Sequence, residues 1–344
     1  MRIGLLTSGG DCPGLNAVIR AVVRKVERVH GGAVLGFRDA WRGVMEDDWE
    51  LLDVARCRGI LPRGGTILGT SRVQPYSTEG GVDLVRAAVQ RHRLDGFIVI
   101  GGEGSLAAAD DLRLDGVPCI GVPKTIDNDV VGTELTFGFD TAVHICSAAI
   151  DRLHTTAESH DRVMVVEVMG RHVGHIALRS GLAGGATMTL IPEVPFDIAE
   201  VCDALARRHA GSSYASIVVV AEGAEPAPGT LEEIDYEVDR FGHQRLGGIS
   251  QVLAAEIESR TGIETRVTIL GHVQRGGTPT AFDRVLATRF GVAAADAAAA
   301  GEWGVMVALQ SDRIVHVPLA DVAHRRKGVD LDLYEQVARP FFAS

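Results

Sequence analysis

The chain has 344 residues, long for a single core and sufficient for two lobes, with 45 acidic against 34 basic side chains and a net charge of −11. That balance leaves no basic excess for coating nucleic acid or an anionic membrane, so any phosphate must be gripped locally. Cys12, Cys57, Cys119, Cys146 and Cys202 lack Cys-x-x-Cys spacing and no apolar run approaches a membrane span, so neither a disulfide framework, a zinc site, a signal peptide nor a transmembrane helix is expected, and the setting reads as cytoplasmic.

The first predicted strand is the apolar run Ile3-Gly4-Leu5-Leu6. The glycine-rich turn Thr7-Ser8-Gly9-Gly10-Asp11-Cys12-Pro13-Gly14 follows it, and a helical pattern then runs from Leu15 to Val29. The same arrangement returns at Phe97-Ile98-Val99-Ile100, followed by Gly101-Gly102-Glu103-Gly104-Ser105 and an alanine-rich helical stretch. Glycines at such turns let backbone N–H groups approach an anion, and the helix N-terminus behind them adds its positive dipole end. A single Gly-Gly pair also serves tight turns that bind nothing, so the reading as phosphate loops rests on the repetition. Glu103 is a candidate Mg2+ ligand because that ion takes oxygen ligands and shares them with phosphate; a carboxylate there equally stabilises the helix dipole.

Val117 to Val122 predicts the next strand, and Pro123-Lys124-Thr125-Ile126-Asp127-Asn128-Asp129 at its end presents two carboxylates two residues apart. An acidic turn beyond the carboxyl end of a strand in an open α/β sheet is placed to meet a substrate and take a proton, though alone it also reads as an Asx-turn. Arg162 precedes the run Val163–Val168, and Met169-Gly170-Arg171-His172-Val173-Gly174 follows it. After the run Ile217–Ala221 and the loop Glu225-Pro226-Ala227-Pro228-Gly229, the segment Thr265 to Gly277 repeats the pattern of an arginine before a strand, Val267–Leu270, and basic residues after it. Arg171, His272 and Arg275 stand where strands run out into glycine, the setting in which guanidinium groups grip phosphate bidentately; Arg24, Arg28, Arg207 and Arg208 read as solvated surface charge. Ala293 to Ala300 is an alanine-rich helix. Near-continuous apolar strands alternating with helices predict an α/β fold with mostly parallel sheets buried on both faces.

Taken together, Thr-Ser-Gly-Gly-Asp, Gly-Gly-Glu-Gly-Ser, Pro-Lys-Thr-Ile-Asp-Asn-Asp, Met-Gly-Arg and Leu-Gly-His-Val-Gln-Arg-Gly-Gly resemble the phosphofructokinase family, in order and over nearly the whole chain. The resemblance implies two Rossmann-like lobes with mostly parallel sheets and helices on both faces. Residues 1–138 plus about 251–300 would form the donor lobe, 139–250 plus about 301–320 the sugar-phosphate lobe, and 321–344 a C-terminal helical segment. It implies transfer of a phosphoryl group to the 1-hydroxyl of fructose 6-phosphate in glycolysis, with Mg2+ at Glu103. Carried over residue by residue, Asp127 is the general base with Thr125 and Asp129 beside it, and Arg171 holds the migrating group. Met169, Gly170, Glu222, His272 and Arg275 surround the sugar phosphate. Gly10, Arg72, Val73, Gly102, Glu103, Gly104 and Ser105 line the donor. Arg162 and Arg266 reach in from an adjacent subunit of a homo-oligomer, a dimer or tetramer.

Two positions bear on the donor. In this family glycine at 104 accompanies ATP, whereas lysine at 124 accompanies pyrophosphate; Gly104 takes precedence here because a carboxylate in its place would obstruct and repel the α-phosphate. Trp41 is a candidate to stack on adenine, with a core or surface role as the alternative. Of the basic positions that line an effector site in similar bacterial members, Arg20 and Arg24 remain, Val54 and His154 replace arginines, and Ala210-Gly211-Ser212-Ser213 lacks lysines, which implies weak or altered allostery. A kinase for another acceptor, such as NAD or a lipid diol, would not need the His272/Arg275 pair. A non-catalytic sugar-phosphate-binding protein would keep the arginines and could lose Asp127. No G-x-G-x-x-G turn follows the first strand, which argues against an NAD-dependent oxidoreductase.

Overall fold

The computed structural model describes residues 1–211, 215–231 and 248–342. In chain order the strands are β1 (Arg2–Thr7), β2 (Ala33–Phe37), β3 (Trp49–Leu52), β4 (Gly96–Gly101), β5 (Cys119–Thr125) and β6 (Phe137–Gly138). Then come β7 (Val163–Val168), β8 (Met188–Leu190), β9 (Ser216–Ala221), β10 (Thr265–Ile269), β11 (Val305–Gln310) and β12 (Arg313–Pro318). The chain falls into two compact units, Met1–Thr141 with Arg275–Lys327 and Ala142–Gln274 with Gly328–Ser344.

The first unit is built on a sheet of order β12-β11-β5-β4-β1-β2-β3, with β6 added to β5. Its central pairings are parallel, and only the two edge strands, β3 and β12, run antiparallel to their neighbours. Every residue of β4 and β5 is buried, as expected of strands covered on both faces. Phe37, Trp41, Phe97, Val99, Leu106 and Leu112 belong to one continuous core in which Trp41 meets Phe97 edge-on at 5.4 Å. The second unit carries an all-parallel sheet, β10-β7-β9-β8, whose strands β7 and β9 are buried along their whole length. Its core joins Val163, Val165, Val218 and Val220 to Leu205 and Leu253 from the helices Ile198–Ala210 and Ile249–Thr261.

Strand pairing divides the chain differently from the lobes expected of the resemblance. Residues 251–274 fall in the second unit because the helix Ile249–Thr261 packs on Ile198–Ala210 and β10 pairs with β7. Residues 301–327 fall in the first because β11 extends the large sheet beside β5. The alanine-rich run belongs to a longer helix, Ala281–Ala300. The C-terminal segment is helical in two pieces, Leu319–Val322 and the contiguous helical run from Leu331 to Phe341. Of the expected loop 210–213, Ala210 ends the helix Ile198–Ala210, whereas Ser212 and Ser213, like Ala343 and Ser344, lie outside the described residues. Among the described residues no helix is long and apolar enough to cross a membrane. All five cysteines are free and buried.

Candidate functional site

In the first unit, three strand ends bring the candidate donor residues together. β1 and β4 are neighbours, and the Ser8 N–H donates to the Ile100 carbonyl at 2.9 Å, so the first glycine turn lies against the second. The Ser105 hydroxyl donates to that of Ser8 at 2.9 Å, tying the two loops side chain to side chain. On the other flank the Gly9 N–H donates to Ser71 O at 3.0 Å and the Thr70 hydroxyl to Gly9 O at 2.6 Å, which places the segment carrying Arg72 and Val73 alongside. Arg72 is exposed. Two cations anchor the first turn: Lys124 Nζ donates to Gly10 O at 2.5 Å, and Arg275 Nη1 to Asp11 O at 3.4 Å. A Cβ at Gly10 would lie 2.6 Å from Arg275 Nη1, so glycine is what allows this approach. Burial pushes the buried Lys124 ammonium below its usual range.

Gly102 precedes the helix Glu103–Leu114, whose first turn holds Glu103, Gly104 and Ser105. A Cβ at Gly104 would meet no atom within 4 Å, so the space in front of this helix end is open. The Arg326 guanidinium stands 3.7 Å from Glu103 Oε2 and 3.7 Å from Asp129 Oδ2. That guanidinium balances both carboxylates, and Glu103 is the oxygen ligand here that a divalent cation could share with phosphate. Among the described residues no group of three or more His, Cys, Asp or Glu could hold a metal alone, and phosphate oxygens and water have to complete such a shell.

Beyond β5 the chain turns through Asn128, whose φ of 53° is left-handed. The Asp127 N–H donates to Thr125 Oγ1 at 3.0 Å. Asp127 is only partly buried, yet the protein around it withdraws enough solvation to push its pKa up to about 6; Asp129 adds to the rise, and Arg275, Lys124 and Thr125 oppose it. At neutral pH this carboxyl is mostly ionised and considerably more basic than a solvated aspartate.

In the second unit the residues sit at the carboxyl ends of β7 and β10. Met169, Glu222, Gln251, Ile269, Gly271 and His272 line a cavity of about 440 Å3. The Glu222 N–H donates to Val168 O at 2.8 Å and the Gly223 N–H to Gly170 O at 3.1 Å, which docks the end of β9 on the turn Met169–Arg171. The contact is so close that a Cβ at Gly223 would lie 2.0 Å from Arg171 O. Gln274 is fully buried and secures the same end of the sheet: its Oε1 accepts from the Met169 N–H at 3.1 Å while its Nε2 donates to Gly271 O at 3.0 Å. Glu167, on β7 beneath the cavity, accepts from the Ser250 N–H at 3.2 Å and from its hydroxyl at 2.5 Å.

Several expected residues lie elsewhere. Arg162 precedes β7 and is paired with Glu264 at 2.6 Å; Arg266, near the start of β10, is paired with Glu264 and with Glu258 at 3.8 Å. The six-residue β7, about 20 Å long, separates Arg162 from Met169, while Arg266 sits on β10 three positions before the cavity-lining Ile269 with its guanidinium held among acidic neighbours. Arg275 Nη1 reaches the Asp11 carbonyl of the first glycine turn at 3.4 Å. Trp41 is fully buried, so it cannot stack on adenine; it is a core residue. Val54 donates its N–H to Glu27 at 2.7 Å and His154 Nε2 lies 2.6 Å from Gly184 O. Arg326, Lys327 and Glu167 escaped the sequence reading. Glu167 sits in an otherwise apolar strand, where a lone carboxylate was the available signal, whereas nothing in Arg325-Arg326-Lys327 points back to residues 103 or 129.

The phosphofructokinase family model matches residues 2–298. The pyrophosphate–fructose 6-phosphate 1-phosphotransferase of Streptomyces coelicolor is 57% identical over 338 residues, covering 98% of each chain. The ATP-dependent 6-phosphofructokinase of Mycobacterium tuberculosis is 54% identical over 342 residues, covering 99% of this chain and all of that one. Among solved structures, the pyrophosphate-dependent phosphofructokinase of Nitrosospira multiformis superposes with a TM-score of 0.84 at 21% identity, over 99% of this chain and 91% of that one, a likeness of fold. The phosphofructokinase of Pichia pastoris gives 0.81 at 32% identity over 93% of this chain and 35% of that longer one. The ordered sequence motifs, two units with mostly parallel sheets and full-length similarity agree: the chain belongs to the phosphofructokinase family.

Proposed function

We propose that this phosphotransferase moves the γ-phosphoryl group of ATP to the 1-hydroxyl of fructose 6-phosphate, giving fructose 1,6-bisphosphate in glycolysis. The observation that carries the reading is the Asp127 carboxyl, whose pKa of about 6 leaves it ionised at neutral pH yet basic enough to relieve a hydroxyl of its proton. Asp127 takes that proton as the hydroxyl oxygen bonds to phosphorus and the bond to the bridging oxygen of ADP breaks. Thr125 and Asp129 orient the acidic turn, Thr125 through its hydroxyl at the Asp127 N–H.

Phosphoryl transfer passes through a loose transition state, so the protein's work is in-line positioning and neutralisation of charge on the equatorial oxygens. Arg171 holds the migrating group, with Arg72 on the donor side. Backbone around Gly10, Val73, Gly102, Gly104 and Ser105 lies along the donor phosphates. Glu103 would hold Mg2+, which when bound would supply charge neutralisation at those phosphates. Met169, Gly170, Glu222, His272 and Arg275 receive the sugar phosphate. Arg162 and Arg266 act at a neighbouring subunit's site, which makes the working form a homo-oligomer, dimer or tetramer, in the cytoplasm.

ATP is favoured by the open space before Gly104, where a nucleotide can extend past its second phosphate. The second reading, pyrophosphate as a reversible donor, is favoured by Lys124, an ammonium beside the phosphate turn; its hydrogen bond to Gly10 O gives that lysine a loop-anchoring task under either donor. Relatives named for each donor differ by only a few per cent in identity to this chain. Initial rates with fructose 6-phosphate and either MgATP or Mg-pyrophosphate decide. A kcat/KM at least tenfold higher for ATP supports the proposal, a preference for pyrophosphate reverses the donor, and no turnover with either overturns the function.

A further inference from the structure

We infer that Lys327 is a positioning residue for the reaction, its ammonium and backbone N–H together holding the turn that presents Asp127. The inference rests on Asp127 as the general base. Lys327 Nζ donates to Thr133 O at 2.8 Å, to Glu134 O at 3.0 Å and to Asn128 Oδ1 at 3.2 Å. Its N–H donates to Asp129 O at 2.8 Å, and next to it Val130 pairs with Arg326 in an isolated antiparallel bridge. One residue thus secures both ends of the 128–134 loop.

The loop needs an external tie. Asp127 and Asp129 lie on either side of Asn128, whose left-handed backbone is uncommon for a residue with a side chain and persists only where the surroundings fix it. Asn128 Oδ1 also accepts from the Thr136 N–H at 3.1 Å, so the amide is held from inside the loop by Thr136 and from outside by Lys327. A Lys ammonium has three hydrogens to donate, and these three oxygens lie within hydrogen-bond reach of it. Asp129 and Glu134 are the charges that face it; Asp129, Arg275 and Lys124 are those that face Asp127. No atom of Lys327 need touch substrate: its effect passes through the direction in which Asp127 points, and a displacement of about 1 Å in a reacting group can cost on the order of 10²-fold in rate.

The test compares Lys327→Met, Lys327→Arg and Asp127→Asn in the full-length enzyme. Lys327→Met should lower kcat by about 10- to 100-fold while both KM values stay within about threefold, and Lys327→Arg, which keeps charge and donors, should recover most of the loss. A folded Lys327→Met enzyme with kcat within about threefold of the parent, a loss expressed in KM instead, or no recovery with arginine overturns the inference. Should the methionine variant not fold, Lys327→Gln, with two amide hydrogens, is read in its place; if neither folds, Lys327 supports the unit as a whole and the inference falls. Asp127→Asn separates the two layers: parental turnover there removes the base itself, whatever the Lys327 variants show.

Discussion

Replacing Asp127 by asparagine should make the protein more stable and nearly inactive at once. Asparagine keeps the size of the side chain and removes its titration. The carboxyl rises from its ordinary 3.8 in the unfolded chain to about 6 in the fold, so ionising it in place costs about 3 kcal/mol at most. The direction is that of an acid made weaker by folding. Below pH 4 both states are protonated and the cost is absent; between pH 4 and 6 the unfolded chain gives up its proton first and stability falls; above pH 6 the cost is constant. Asp127→Asn should therefore raise the midpoint of thermal unfolding by several degrees at pH 7.5 and leave it unchanged near pH 4, while kcat drops by about 10²- to 10⁴-fold. Thermal unfolding of both proteins across that pH range, beside steady-state kinetics, reads the two effects. A stability gain independent of pH, or a loss at pH 7.5, refutes the enclosure of this carboxyl; parental turnover refutes its role.

Further outcomes follow from contacts already described. The kcat of the parent enzyme should decline as pH falls through about 6, measured with saturating substrates, because protonated Asp127 cannot accept a proton. Gly104→Asp places a carboxylate in open space before the helix end and should raise KM for ATP by at least tenfold with little change in unfolding temperature; equal kinetics for the variant would remove Gly104 as a donor determinant. In Gly223→Ala the new methyl group meets the Arg171 carbonyl, and about 1–3 kcal/mol of strain should appear in denaturant unfolding together with a lower kcat/KM for fructose 6-phosphate. Trp41→Ala should cost about 3–5 kcal/mol of stability by the same measurement, with KM for ATP unchanged in the folded enzyme.

What could be read from the chain was what lies close together along it. The glycine turns after β1 and β4 and the acidic turn after β5 carry their chemistry within about a dozen residues, and strands buried on both faces announce themselves as unbroken apolar runs. Contacts between distant segments left no such mark. Trp41 beside a glycine-rich loop and Trp41 under Phe97 have the same local sequence, and only packing separates them. The approach of the Arg275 guanidinium to the Asp11 carbonyl joins positions 264 apart, and nothing local in the sequence marks it. The division of the chain depended on which strand β10 and β11 would join, and pairing of parallel strands is set by partners far away in sequence.

The bond from Lys327 to Asn128 spans 199 positions, and it has a consequence for biosynthesis. A nascent chain can form β1, β4 and β5 long before residue 327 leaves the ribosome, so the tie on the acidic loop is among the last contacts this unit can make. Synthesis through residue 327 is therefore required before the 128–134 segment is clamped, and a product terminated upstream of Arg326 would have its central strands without that fastening.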